Sequence, residues 1–269
     1  MDKKIIFLDL DGTLIMHSPN GNFIPNSAQR ALQKAKDNGH LIYLCTGRSF
    51  SMIDDYLKES ELVDGIIGAS GACIMMNKVI VYHKPYSLEE INELINILES
   101  NNIFHWLETN KGVYMNIEKY GNEVLKRRQF FPKFLESVKP KNEECLSIIN
   151  KVSYIDPLNP LSFEEKLLSG KFILVPMSYD GQGENRGEIS AIGTTKGTAI
   201  RYVLNKLNIP KKNAYCFGDS NNDLSMFPEV GTSICMGNGK DEVKKHASFV
   251  TKNIDDGGIE FGFKNFGLI

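Results

Sequence analysis

Ile5-Ile6-Phe7-Leu8-Asp9-Leu10-Asp11-Gly12-Thr13 is the stretch that decides how the rest of the chain is read. Four consecutive apolar residues read as a buried strand. Two acids, two positions apart, close it. Burying a carboxylate is unfavourable unless a cation or a dense set of hydrogen bonds compensates. In an open α/β sheet, ligands sit at the carboxyl ends of the strands. Gly12 permits an unusual backbone turn just beyond the acids. Asp and Gly are also ordinary turn formers, and an isolated Asp-x-Asp-Gly reads best as a solvated turn. Three further segments, each at a strand end or a helix start, decide for a site.

The chain has 269 residues, enough for one large domain or two modest ones. Its 42% hydrophobic and 24% charged residues fit a soluble globular protein. A net charge of -2 gives no support for nucleic-acid binding. Cys45, Cys73, Cys145, Cys216 and Cys235 are scattered through apolar runs with no Cys-x-x-Cys pair, and so read as reduced core residues in a reducing compartment. The run after Lys3-Lys4 is broken by Asp9 and Asp11, which makes it too short for a signal peptide or a membrane span. The expectation is a cytoplasmic protein with no membrane and no nucleic-acid partner.

Outward from the first stretch, 26–38 reads as a helix with Ala28, Leu32 and Ala35 on one face and Gly39 as its stop. Residues 41–45 read as a second strand, 49–58 as a helix and 65–68 as a third strand. A hairpin around Asn77-Lys78 joins 72–76 to 79–82. Strand and helix in alternation indicate a parallel sheet with right-handed crossovers. The texture then changes. Ser87-Leu88-Glu89-Glu90 is a capping box that opens a helix, and Ser162-Phe163-Glu164-Glu165 offers another. Residues 103–107, 112–117, 152–155 and 172–175 are strand candidates without terminal acids. The first texture returns past Glu188, with a helix over 196–207 and strands over 214–217 and 232–236. The expected architecture is α/β: a Rossmann-like parallel-sheet core, 1–82 plus 188–269, with an inserted α/β cap domain, 83–187.

Four segments carry chemistry. An Asp carboxylate such as Asp9 can act as a nucleophile and form an acyl phosphate. A second acid, Asp11, could protonate the leaving oxygen and later deprotonate water. Two acids repel a phosphoryl group, so a cation is required, and Mg²⁺ suits all-oxygen ligands. Thr46, in Cys45-Thr46-Gly47-Arg48, joins a strand end to a helix start and could hold phosphate oxygens with the backbone N–H groups that follow. Read alone it is a hydroxyl N-cap. Lys196 stands in the first turn of a helix, where a cation opposes the macrodipole; read alone, such a local misfit fits a functional role and a solvated surface lysine equally. In Gly218-Asp219-Ser220-Asn221-Asn222-Asp223, an apolar strand again ends in an acid. Asp219 is placed to bind the metal, Asp223 could bind it or hold its waters, and Asn222 could donate to the phosphate.

Asp-Leu-Asp-Gly-Thr (9–13), Thr-Gly-Arg (46–48), Thr-Lys-Gly (195–197) and Gly-Asp-Ser-Asn-Asn-Asp (218–223) resemble the four signature motifs of the haloacid dehalogenase-like superfamily. Their order, and the insertion after the third strand, resemble its Cof-type sugar-phosphatase branch. Ser248-Phe249-Val250-Thr251 with Asp256-Gly257-Gly258 resembles that branch's C-terminal ending. The resemblance implies Mg²⁺-dependent phosphomonoester hydrolysis. It implies Asp9 as nucleophile, Asp11 as general acid/base, and Thr46, Gly47, Lys196 and Asn222 around the phosphoryl group. It also implies Asp9, the backbone carbonyl of Asp11, and Asp219 as metal ligands, supported by Asp223. One departure is visible: Ala69-Ser70-Gly71-Ala72 stands where the branch commonly has Asn-Gly-Ala, so Ser70 brings a shorter side chain to any substrate contact.

The expected substrate is a small phosphorylated metabolite, and the expected state is a monomer or weak homodimer. A phosphomutase of the same superfamily and a catalytically silent phosphate-ligand sensor are the alternatives. Among cap residues, Arg186, beside the Gly-rich 180–186 segment, is the preferred substrate contact. Trp106 and Tyr114 read as cap core, Lys126-Arg127-Arg128 as a solvated helix face, and His17 and His83 as surface residues.

Overall fold

The computed structural model describes residues 3–18, 21–126, 138–156, 170–176 and 185–269. The second capping box, Arg127-Arg128 and the Gly-rich residues 180–184 lie outside them. The chain is α/β and divides into two compact units: Met1–Gly47, Asp54–Val81 and Thr195–Ile269 form one, Arg48–Ile53 and Tyr82–Thr194 the other.

The first unit is built on β1 (Ile5–Leu8), β2 (Leu41–Cys45), β3 (Gly65–Gly68), β4 (Cys73–Met76) and β5 (Val79–His83, which runs across the boundary). The second holds β6 (Phe104–Glu108), β7 (Val113–Met115), β8 (Val138–Pro140), β9 (Lys151–Asp156), β10 (Phe172–Pro176) and β11 (Asn185–Ala191). The chain then returns to the first unit with β12 (Ala214–Gly218), β13 (Thr232–Cys235) and β14 (Phe249–Val250). The first sheet has the order β14-β13-β12-β1-β2-β3-β4-β5. From β14 to β3 its pairs are parallel, and β3–β4 is antiparallel. β1 is buried at all four positions, as a continuous apolar run in the middle of a covered parallel sheet should be. The Asn26–Asp37 helix buries Ala28, Ala31, Leu32 and Ala35, and packs with the Gly258–Asn265 helix. Asn77 and Lys78 both have positive φ, which suits the tight turn between β4 and β5.

Two local expectations change. No single helix spans 49–58: a 3-10 turn at Phe50–Met52 and a short helix at Asp55–Lys58 are separated by extended Ile53 and Asp54. Serine hydroxyls engage elsewhere in this segment, with Ser51 Oγ donating to the Thr109 carbonyl at 2.9 Å, and such bonds compete with helix. The expected boundary at 187/188 falls inside β11, whose register partners are β9 and β10 of the second sheet. Residues 188–194 therefore belong to the second unit.

The second sheet has the order β10-β11-β9-β6-β7-β8. Ser87 caps the Leu88–Ser100 helix through the reciprocal Ser87–Glu90 box. Ile91, Leu94, Ile95 and Leu98 of that helix pack with Leu107, Val152, Tyr154 and Ile189 of the sheet. By alternation, Lys151, Ser153, Glu108 and Glu188 lie on the opposite face. There Lys151 Nζ sits 2.7 Å from Glu188 and 3.4 Å from Glu108. Glu108 also accepts from Trp106 Nε1 at 2.9 Å and Ser153 Oγ at 2.6 Å. Burial works against the Lys151 ammonium, but Glu108 and Glu188 outweigh it and hold its pKa above the ordinary value. Trp106 packs with Phe104, Val113 and Tyr120 as cap core.

His105 yields a stability prediction. It is buried, its Nδ1 lies 2.9 Å from the Ile103 carbonyl, and its ring meets Tyr120 edge-on. Burial pulls its pKa from 6.5 to about 4. The unfolded chain then binds the proton more readily, so His105 stabilises fully above pH 6.5, and this contribution is lost as pH falls toward 4. Its full size is on the order of 3 kcal/mol. Thermal unfolding of the wild type should therefore weaken between pH 6.5 and 4 more steeply than that of His105→Phe. Parallel pH profiles of the two proteins would refute this assignment.

Candidate active site

β12, β1, β2 and β3 run parallel as neighbours, so their carboxyl ends share one edge. In register, Leu8 lies between Phe217 and Leu44. Asp9 carries the ladder one step further, its N–H donating to the Phe217 carbonyl at 3.0 Å. Beyond it the chain turns sharply, and Ile15 N–H donates back to the Leu10 carbonyl at 2.7 Å. Gly12 has φ +86°, and a Cβ there would lie 2.6 Å from Asp219 Oδ2. Only glycine lets this turn approach the Asp219 carboxylate. Thr13 Oγ1 donates to Asp219 Oδ1 at 3.0 Å, and Asn238 Nδ2 holds the Gly12 carbonyl at 2.8 Å.

Lys196 opens the Lys196–Leu207 helix, whose N-cap Thr195 accepts from Thr198 N–H at 3.1 Å. Its side chain is 1% exposed, so the solvated-lysine reading does not apply. Nζ donates to Asp9 Oδ1 at 2.6 Å and to Asp223 Oδ1 at 2.7 Å. Two buried ion pairs offset the unfavourable position of a cation in the first helical turn. Asp223 Oδ2 accepts from the N–H groups of Asp219 and Ser220 at 2.9 and 3.0 Å. Both Asp223 oxygens are thus engaged, one on Lys196 and one on the loop that carries Asp219.

Carboxylate oxygens of Asp9, Asp219 and Asp223 lie within 4.8 Å of one another. Burial first, then the Asp223 charge, push Asp9 well above the carboxylate range, against the pull of Lys196. The same two causes raise Asp219 to about 6, against the Thr13 hydrogen bond. Burial disfavours the Lys196 ammonium, yet Asp223 and Asp9 outweigh it and hold its pKa high. One ammonium therefore serves three carboxylates, and the surplus negative charge is what a cation would neutralise. An all-oxygen donor set of this kind fits a hard divalent cation.

Thr46 is buried one residue beyond β2. Its N–H donates to the Ile67 carbonyl at 2.8 Å, and its carbonyl accepts from Ser70 N–H at 3.1 Å. Gly47 follows it, also buried, but no helix begins there, so the expected help from a helix terminus is absent. Asn222 Oδ1 accepts from Ser220 Oγ at 2.7 Å, which leaves its NH₂ group as the donor. Ser70 is buried in the turn after β3. Arg186 lies in β11 of the second unit, opposite Ile155, in a strand rather than a loop. His17 is exposed, as its sequence context implies. In the fold its Nε2 lies 3.0 Å from Asp11 Oδ1 and its Nδ1 2.8 Å from Asn22 Oδ1. The bridge between Met16 and Phe23 brings these residues together, and the polar 17–22 segment carries no signal of it.

A family model described as haloacid dehalogenase-like hydrolase matches residues 6–261. The chain is 27% identical, over 96% of its length and 93% of the relative's, to 5-amino-6-(5-phospho-D-ribitylamino)uracil phosphatase YcsE of Bacillus subtilis (strain 168). It is 26% identical to phosphatase YwpJ of the same organism, over 97% of this chain and 99% of that one. The solved structure of the HAD subclass IIB sugar phosphatase BT4131 matches with a TM-score of 0.82 and 25% identity, over 99% of this chain and 100% of that one. The family match spans nearly the whole chain, acid-ended strands included, and so the protein belongs to the haloacid dehalogenase-like hydrolases, as a phosphatase of their Cof-type branch.

Proposed function

We propose that the protein hydrolyses small phosphomonoesters, sugar phosphates or similar metabolites, in a Mg²⁺-dependent reaction through an aspartyl-phosphate intermediate. The observation that carries this reading is Lys196 held between Asp9 and Asp223, with Asp219 beside them. An Asp9 oxygen attacks phosphorus, the ester P–O bond breaks, and Asp11 delivers its proton to the leaving oxygen. Water then attacks the acyl phosphate and gives its proton to Asp11, and inorganic phosphate leaves with Asp9 restored. Lys196, the Thr46 hydroxyl, Gly47 N–H and the Asn222 amide hold the phosphoryl oxygens in line, and most of the acceleration comes from such positioning and charge neutralisation. Asp9, Asp219 and the Asp11 carbonyl would hold Mg²⁺, and Asp223 braces the set. When bound, the ion neutralises the charge of the phosphoryl oxygens against the surrounding acids.

The subclass IIB sugar phosphatase and the ribitylaminouracil phosphatase named above direct the substrate panel. It comprises sugar phosphates, 5-amino-6-(5-phospho-D-ribitylamino)uracil, nucleotides, flavin mononucleotide and pyridoxal phosphate. Free phosphate should appear without any bisphosphate activator, stop on chelation with EDTA, and resume with Mg²⁺. Isomerised sugar phosphate in place of free phosphate would replace hydrolysis with a mutase reaction. Full activity in EDTA would remove the metal from the proposal.

A further inference from the structure

The turn after β3 is built in a conformation that L-residues rarely adopt. Ala69, Ser70 and Gly71 have φ of +50°, +52° and +106° in succession. All three are buried. Backbone outliers persist only where their surroundings over-determine them, and they cluster where function needs them. Two contacts define what this turn does. Ser70 N–H donates to the Thr46 carbonyl at 3.1 Å. Gly71 lies flat against the peptide that leads into Lys196: a Cβ at Gly71 would fall 2.2 Å from the Thr195 carbonyl oxygen and 3.3 Å from Lys196 N. From another side, Gly197 abuts the Ser225 carbonyl, where a Cβ would fall at 1.9 Å. The helix start is thus gripped by backbone on both sides of Lys196.

We infer that Ala69-Ser70-Gly71 is a positioning brace, which sets the Lys196 ammonium relative to Thr46 by direct backbone contact with both segments. The inference rests on the proposed role of Lys196 at the phosphoryl group. It gives Ser70 a backbone task, whatever its hydroxyl does. Any added atom at Gly71 pushes the Thr195–Lys196 peptide away, and Nζ then misses the 2.6 Å contact with Asp9.

The test is a double-mutant cycle with an aryl phosphate, read as kcat and KM alongside thermal unfolding. Gly71→Ala should lower kcat about tenfold, as a misplaced charge-neutralising group does. In a Lys196→Met background, followed by single-turnover assays at high enzyme concentration, Gly71→Ala should lower the residual rate less than twofold. Independent losses that multiply in the double variant would overturn the brace and leave the turn a merely structural element. If Gly71→Ala does not fold, Ala69→Gly adds no atoms, removes only a methyl group and slackens the left-handed turn. It should lower kcat in the wild-type background and not in Lys196→Met, and equal losses in both would overturn the inference in the same way. Full activity of Lys196→Met alone would instead remove the functional reading on which the brace rests.

Discussion

Lys196→Met should lower turnover of an aryl phosphate by about 10²–10³-fold, the usual effect of removing one preorganised electrostatic partner from a transition state. It should also destabilise the metal-free protein. Lys196 is the counter-charge of Asp9 and Asp223, and all three side chains are almost fully buried. Removing one partner of such a set leaves uncompensated charge in a low-dielectric site, at a cost of about 3–5 kcal/mol. Divalent cation should recover part of that stability, because it neutralises the same carboxylates, and it should not recover turnover. Thermal unfolding with EDTA and with Mg²⁺, beside kcat, separates the two effects. A variant with wild-type stability in EDTA would mean that the Lys196 ion pairs are not what holds these acids together.

Asp9→Asn should be the most severe change in activity, about 10⁴-fold or more, since loss of a covalent nucleophile removes the reaction path itself. Its effect on stability should have the opposite sign. Burial and Asp223 push the Asp9 pKa up, so the folded protein disfavours its charged form relative to the unfolded chain. A neutral amide of the same shape relieves that repulsion, and metal-free Asp9→Asn should unfold at a higher temperature than the wild type. Asp9→Ala should be equally inactive with the fold retained. Turnover of either variant at the normal rate would end the nucleophile assignment.

The core and its acid-ended strands are legible in sequence because both signals are local. Ile5 to Leu8 is too apolar to be anything but covered, and a carboxylate directly after such a run asks for a partner. The same logic reads Tyr215-Cys216-Phe217 with Asp219. Lys196 stands out because its charge opposes its own helix. What stays illegible depends on the fold. β11 looks like a continuation of the core because Ile189 and Ala191 fit either sheet, and only pairing with β9 and β10 decides. Ser51 spends its hydroxyl on the Thr109 carbonyl, a contact that only the fold reveals, and the expected helix over 49–58 is interrupted. His17 reaches Asp11 only because Met16 and Phe23 pair. The left-handed turn at Ala69 and Ser70 has no sequence signature, since neither residue prefers that conformation.

The ion network on the second sheet bears on how this face can change over generations. Lys151 stands between Glu108 and Glu188 and is costly to exchange alone, because its loss strands two buried carboxylates. An apolar set of similar volume at all three positions is compatible with the fold, yet every one-step route toward it passes through a weakened protein. These positions are therefore expected to vary together among descendants of this chain or to stay as they are.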